Sequence, residues 1–83
     1  MTDTAVAKAL ELAPVIERVH GQHHPELTRV REITELLAAS GPETHVEELF
    51  GELRAVTNDY AVPGDVCVTF RATYEFNRRA DRI

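Results

Sequence analysis

The chain has little of the residue types that cross-link a fold, span a membrane or bind nucleic acid. Its 83 residues include one cysteine, Cys67, and no tryptophan. A single cysteine excludes an intramolecular disulfide framework and a cysteine-rich zinc site, and we expect a reducing cytoplasm. No apolar run is long enough to span a bilayer, and residues 1–4 lack the basic region of a secretory signal. A formal net charge of −5 opposes general nucleic-acid binding, which needs Lys and Arg to neutralise phosphates.

The composition is that of a folded domain. Apolar residues make up 43% of the chain and charged residues 28%, which is apolar enough to form a core. A chain this short holds one domain, residues 1–83. Apolar burial nearly cancels chain entropy at this size, so we expect stabilising association, with a homodimer as the simplest form.

Helical periodicity begins in the N-terminal quarter. Pro14 lies inside this first pattern and lacks an amide donor, which predicts either a kink or two pieces with the firm helix starting near Pro14. Gly21 is expected to end the helix as a left-handed C-terminal cap. The apolar positions are Val6, Ala9, Leu10, Leu12, Ala13, Ile16 and Val19. A second helix is predicted from Pro25 to the breaker segment 40–42, with a buried stripe of Leu27, Val30, Ile33, Thr34 and Leu37.

Two more helices follow. Thr44 and Glu47 have capping-box spacing, and Ser40 with Glu43 offers a competing start. The predicted core face of this third helix is Val46, Leu49, Phe50, Leu53 and Val56. Residues 58–65 favour a loop, and a fourth helix carries Val66, Cys67, Phe70, Tyr74 and Phe76 on its apolar face. The pattern predicts an all-α fold, a small up-down four-helix bundle made of two antiparallel helical hairpins.

Three histidines lie within five positions of one another. His20 and His24 have the i, i+4 spacing that can chelate a metal on a continuous helix. Gly21 and Pro25 interrupt the helix here, so we expect the rings of His20, His23 and His24 to cap chain ends or to pack at the first hairpin.

His45 has acidic neighbours. It lies beside Glu43, Glu47 and Glu48, and His with Glu is the ligand chemistry of carboxylate-bridged di-iron bundles. Such a centre needs ligands from several helices, and the fourth helix offers Glu75 and Asp81 with no histidine. We therefore expect His45 to be a solvated first-turn residue.

The last helix offers a thiol and a group of cations. A helix start can lower the pKa of a thiol such as Cys67. Its position on the same face as Phe70 and Tyr74 predicts instead a small buried apolar residue. At the other end, the cations complement the helix C-terminus or bind an anionic partner; they are Arg78, Arg79 and Arg82.

Three segments together resemble one known family in the same order: HGQHHPEL at 20–27, LRAVTNDY at 53–60 and PGDVC at 63–67. The family is the hemerythrin-like iron–sulfur cluster repair di-iron proteins. The resemblance spans about residues 12–37 and 49–74 and implies a four-helix fold in which these segments join helices one to two and three to four. Members hold two irons with His and Glu/Asp side chains. Three of their ligand segments would fall before Met1, beyond Ser40 and after Ile83, and only His45 or Glu43 lies close to the place of their third-helix histidine.

The resemblance implies a shortened relative that keeps the scaffold end. We expect a non-catalytic interaction or accessory module without its own di-iron site, associating with itself or with a protein partner. No residue is assigned as a metal ligand, a cofactor-binding residue or a catalytic residue. One alternative is an iron site rebuilt across a dimer from His45, Glu43 and the histidines of 20–24. Another is a small enzyme that uses Cys67, which requires a perturbed thiol pKa.

Overall fold

The structure is a computed structural model that describes residues 4–41, 44–64 and 66–81. It contains four helices, which confirms the predicted all-α four-helix bundle. They are α1 (Thr4–His20), α2 (Leu27–Ala38), α3 (Val46–Val56) and α4 (Val68–Asp81). No helix in these ranges is both long and apolar enough to cross a membrane. Glu43 and Arg82, two residues named in the sequence analysis, lie outside the described residues.

The helices pack around α1, which makes extensive contacts with both α2 and α4, while α3 packs against α2. The second predicted hairpin consists of α3 and α4. In the structure, however, the most extensive helix contact of α4 is with α1. The C-terminal part of α4 is tied to the α3 side by Asp81. This carboxylate accepts a 2.8 Å hydrogen bond from the Tyr60 hydroxyl and lies 3.3 Å from Arg54 Nε.

The core is apolar and follows the predicted periodicity most closely in α2. All five residues of the predicted α2 stripe are buried: Leu27, Val30, Ile33, Thr34 and Leu37. In α1 the buried residues are Val6, Ala9, Ala13 and Ile16, whereas Val19 is exposed. The α4 core includes Phe70 and Tyr74.

Helix α1 is continuous through Pro14, so the prediction of a firm helix starting only near Pro14 is wrong. Pro14 is exposed, and the carbonyl four residues earlier that loses its helical donor can be hydrated. Ala13 and Ile16 on the opposite side are buried against the bundle. Packing of this face therefore outweighs the local cost of the proline.

Helix α1 ends at His20, as predicted. The left-handed cap predicted at Gly21 is wrong, since no glycine among the described residues has a positive φ.

Two predicted helix starts need correction. Helix α2 begins at Leu27 rather than Pro25, and the residues before it form turns. At α3 the N-cap is His45, one residue after Thr44, and it makes no side-chain capping bond. The Thr44 hydroxyl accepts the Gly41 N–H at 2.9 Å. The capping box predicted from Thr44 and Glu47 is therefore absent.

Of the predicted α3 core face, Leu53 is buried and the other four residues are half-buried. Helix α3 has its extensive helix contact with α2 alone, which accounts for this shallower burial.

The link from α3 to α4 starts with a left-handed turn. Asn58, Asp59 and Tyr60 have φ of 53°, 57° and 63°, a region that Asn and Asp tolerate better than most residues. The Thr57 hydroxyl secures the turn by donating to the Leu53 carbonyl at 2.7 Å and accepting the Tyr60 N–H at 2.9 Å. This turn confirms the loop predicted from residue 58 and buries the Tyr60 side chain.

Candidate functional site

The turn between α1 and α2 meets the link between α3 and α4 at one end of the bundle. His20 is the last residue of α1, and Cys67 immediately precedes α4. Packing of α1 against α4 brings them together, and the His20 Nε2 to Cys67 Sγ distance is 3.2 Å. Segments that the sequence separates by more than forty residues therefore share one surface.

Two imidazoles pack on one buried aromatic ring. The ring centroid of Phe70 lies 5.6 Å from that of His20 and 5.4 Å from that of His24, each in an edge-to-face arrangement. His24 Nδ1 is 3.2 Å from Glu26 Oε2. The prediction that these rings pack at the first hairpin is confirmed for His20 and His24, whereas His23 is exposed. We call His20, His24, Cys67 and Phe70 the junction cluster.

Cys67 is exposed, so the prediction that it is a buried apolar residue is wrong. Helix α4 begins one residue later, at Val68, and the helical face that buries Phe70 and Tyr74 does not extend back to the thiol. The hydrogen bond with His20, followed by the backbone N–H groups of Phe70 and Thr69, lowers the pKa of Cys67 to about 7.

A thiol with this pKa is a nucleophile at neutral pH. About half of it is ionised at pH 7, against roughly one part in a hundred for a thiol with pKa 9. The thiolate accepts the Nε2–H of His20, and its exposure leaves it open to small electrophiles and disulfides. The contact between His20 and Cys67 was not predicted from the sequence, although both residues lie within the segments that carry the family resemblance.

The fourth histidine lies at the other end of α2. His45 follows the C-terminus of α2, whereas His24 precedes its N-terminus, and the 12 residues of α2 extend about 18 Å. His45 therefore does not converge with the junction cluster within one chain. It is exposed, as predicted, and lines what we call the α2–α3 groove, formed by Leu36, Ala39, Thr44, His45, Glu48, Leu49 and Glu52.

The interior does not fit a di-iron centre. Its buried polar side chains, among the described residues, are Thr34, Thr57, Thr73 and Asn77, with no carboxylate or imidazole. No group of three or more His, Cys, Asp or Glu within residues 4–41, 44–64 and 66–81 is arranged to hold a metal ion. Iron centres of this kind need such groups converging from several helices.

The outer face of α4 carries an apolar stripe. Val68, Ala72 and Phe76 recur at i, i+4 and i+8, with Arg71, Glu75 and Arg79 beside them, and we call these six residues the α4 stripe. Val68 is 82% exposed. Two of the predicted tail cations have partners, since Arg78 pairs with Glu75 at 2.8 Å and the Arg79 guanidinium lies 5.7 Å from the Phe76 ring centroid.

Comparison of the chain with models of protein families, with curated proteins and with solved structures finds no match. The features of this chain that could support a function are the junction cluster, the α2–α3 groove and the α4 stripe.

Proposed function

We propose that this chain is a non-catalytic helical module that acts by associating with a second copy of itself or with a protein partner. We further propose that it is a shortened relative of the hemerythrin-like iron–sulfur cluster repair proteins without its own di-iron centre. We place it in the cytoplasm, where a free thiol stays reduced.

The observation that carries the proposal is the α4 stripe. Val68 is 82% exposed, and Ala72 and Phe76 continue an apolar line along the same side of the helix. Ala72 and Phe76 are half-buried, so the stripe is one exposed valine continued by two partly accessible apolar residues. A single exposed apolar residue is ordinary, but a continuous apolar line bordered by charges is a feature of surfaces that bind another protein. Covering this line also removes apolar surface from water, which a domain of this size needs for stability.

One observation supports kinship with the repair proteins, and a second argues against their iron chemistry in this chain. The segments that carry the resemblance occupy the two helix junctions, as the family arrangement implies, and they touch through His20 and Cys67. Among the described residues, the buried polar side chains are three threonines and Asn77. The position of the segments supports the proposed kinship, and the lack of buried carboxylates and imidazoles in this part of the chain supports the proposal that it has no di-iron centre of its own.

Iron loading tests the proposal. The protein is incubated anaerobically with ferrous iron and desalted, and its iron content is measured by elemental analysis together with an absorption spectrum. We expect no retained iron. Two irons per chain, or per dimer, with an oxo-bridged spectrum would overturn the proposal. Loss of that iron in a His45→Ala variant would then support a site rebuilt across two chains from His45, Glu43 and the histidines of 20–24.

A second candidate is a thiol-based activity at the junction cluster. The observation that favours it is the 3.2 Å contact between His20 Nε2 and the exposed Cys67 Sγ. Such a thiolate attacks a disulfide, forms a mixed disulfide and releases the other sulfur as a thiolate. The pH dependence of Cys67 alkylation by iodoacetamide tests the first requirement, a thiolate at neutral pH.

A further inference from the structure

We propose that the partner of the α4 stripe is the α2–α3 groove of a second copy of this chain. This inference depends on the association function proposed above and names the surfaces that meet. The two surfaces belong to different helices of the same chain, so each copy offers one of each.

Both surfaces expose apolar side chains to solvent. On the α4 stripe, Val68 is 82% exposed. The α2–α3 groove is a depression of about 390 Å³ with Leu36, Ala39 and Leu49 among its lining residues. Leu36 is itself 48% exposed, and docking the stripe would bury both exposed side chains.

The two surfaces are also complementary in charge. Within α4 the charged residues are three arginines and two carboxylates, Glu75 and Asp81, which gives 3 − 2 = +1, whereas the whole chain has a net charge of −5. The groove is bordered by Glu48 and Glu52. Glu52 already pairs with Arg29, but neither Glu48 nor Arg71 forms an ion pair within the part of the chain that the structure describes. An intermolecular Arg71–Glu48 pair would give Glu48 a partner and would add a second carboxylate to Arg71, whose charge already acts on Glu75.

This pairing joins two different surfaces, which decides the possible assemblies. If a two-fold axis relates the copies, each stripe fills the other's groove and the assembly closes as a dimer. Without that symmetry the contact repeats along an open series. The homodimer expected from the sequence corresponds to the closed case.

Charge reversal tests the inference. Arg71→Glu and Glu48→Arg each place like charges across the contact, so we expect each variant to be monomeric in a concentration series by light scattering or sedimentation. Mixing the two variants restores an opposite pair and should restore association between them. Arg18→Glu, a charge reversal on the exposed side of α1, serves as the matched control and should associate as the wild type does.

The outcomes separate the two proposals. A wild-type protein that is monomeric at every concentration overturns the inference. So does association that Arg71→Glu and Arg18→Glu leave equally intact, since another surface then forms the contact. Either result leaves the proposed module free to bind a different protein, whereas retained iron in the loading experiment overturns the proposed function itself. Circular dichroism of each variant confirms that the bundle is folded.

Discussion

Replacing Asn77 with leucine should stabilise this protein. Asn77 is fully buried on the core face of α4, together with Phe70 and Tyr74. Neither Nδ2 nor Oδ1 of its amide has a hydrogen-bond partner among residues 4–41, 44–64 and 66–81. Leucine has the same branched skeleton as asparagine and carries methyl groups in place of the two polar atoms. The substitution therefore removes a desolvation cost while keeping the shape of the side chain.

The magnitude follows from two opposing effects. An unsatisfied buried donor or acceptor costs about 1–3 kcal/mol, so the two amide atoms together cost about 2–6 kcal/mol. The larger methyl groups oppose this gain, because over-packing a core costs about 1–3 kcal/mol. We expect the free energy of unfolding to rise by about 1–3 kcal/mol, and Tm by about 4–8 °C for each kcal/mol in a domain of this size.

Urea unfolding and thermal melting, both followed by circular dichroism, measure this change. A stabilised Asn77→Leu variant should have a higher denaturation midpoint with an unchanged m-value. The matched control is Thr73→Val on the same buried face, where the hydroxyl does have a partner, the Thr69 carbonyl at 2.8 Å. That variant should lose about 0.5–1.5 kcal/mol. An Asn77→Leu variant no more stable than the wild type, beside a destabilised Thr73→Val variant, would refute the reasoning.

Three further predictions concern the junction and the helices. Because the pKa of Cys67 is about 7, its alkylation rate by iodoacetamide should rise with pH through a midpoint near 7; His20→Leu should move that midpoint up and His23→Leu should not. Gly21→Ala should cost more than about 1 kcal/mol in urea unfolding, because a Cβ there would lie 2.4 Å from a backbone carbonyl oxygen. Gly51→Ala should instead stabilise the protein by about 0.5–1 kcal/mol in the same assay, since a Cβ inside α3 meets nothing within 4 Å; equal effects of the two alanines would contradict the contact analysis.

Periodicity predicted the parts of the fold that burial decides. The α2 stripe was predicted residue by residue, because a helix of 12 residues that faces two neighbours shows its buried side directly in the spacing of apolar residues. The loop from residue 58 was equally predictable, since Asn58 and Asp59 favour the left-handed backbone conformation that they have in the structure.

Local rules failed where a contact from elsewhere in the fold overrides them. Pro14 predicted an interruption, but the buried face of α1 keeps the helix continuous, because tertiary packing outweighs local propensity. Thr44 and Glu47 predicted a capping box, but the N-cap of α3 is His45, and the Thr44 hydroxyl accepts the Gly41 N–H from the preceding segment. Both errors arise from reading a few adjacent residues without the contacts that compete for them.

The junction cluster could not be predicted from the sequence, for a related reason. No histidine lies near Cys67 along the chain. Its partner His20 comes into contact with the thiol only when α1 packs against α4. An i, i+4 pattern on one helix cannot predict a pair formed by two helices from opposite ends of the chain. It follows that the lowered pKa of Cys67 is a property of the folded bundle. Unfolding separates the thiol from His20 and from the helical N–H groups, so its alkylation at neutral pH should slow to the rate of an ordinary thiol whenever α4 leaves α1. Any chemistry at Cys67 is therefore coupled to the same α1–α4 packing that presents the α4 stripe.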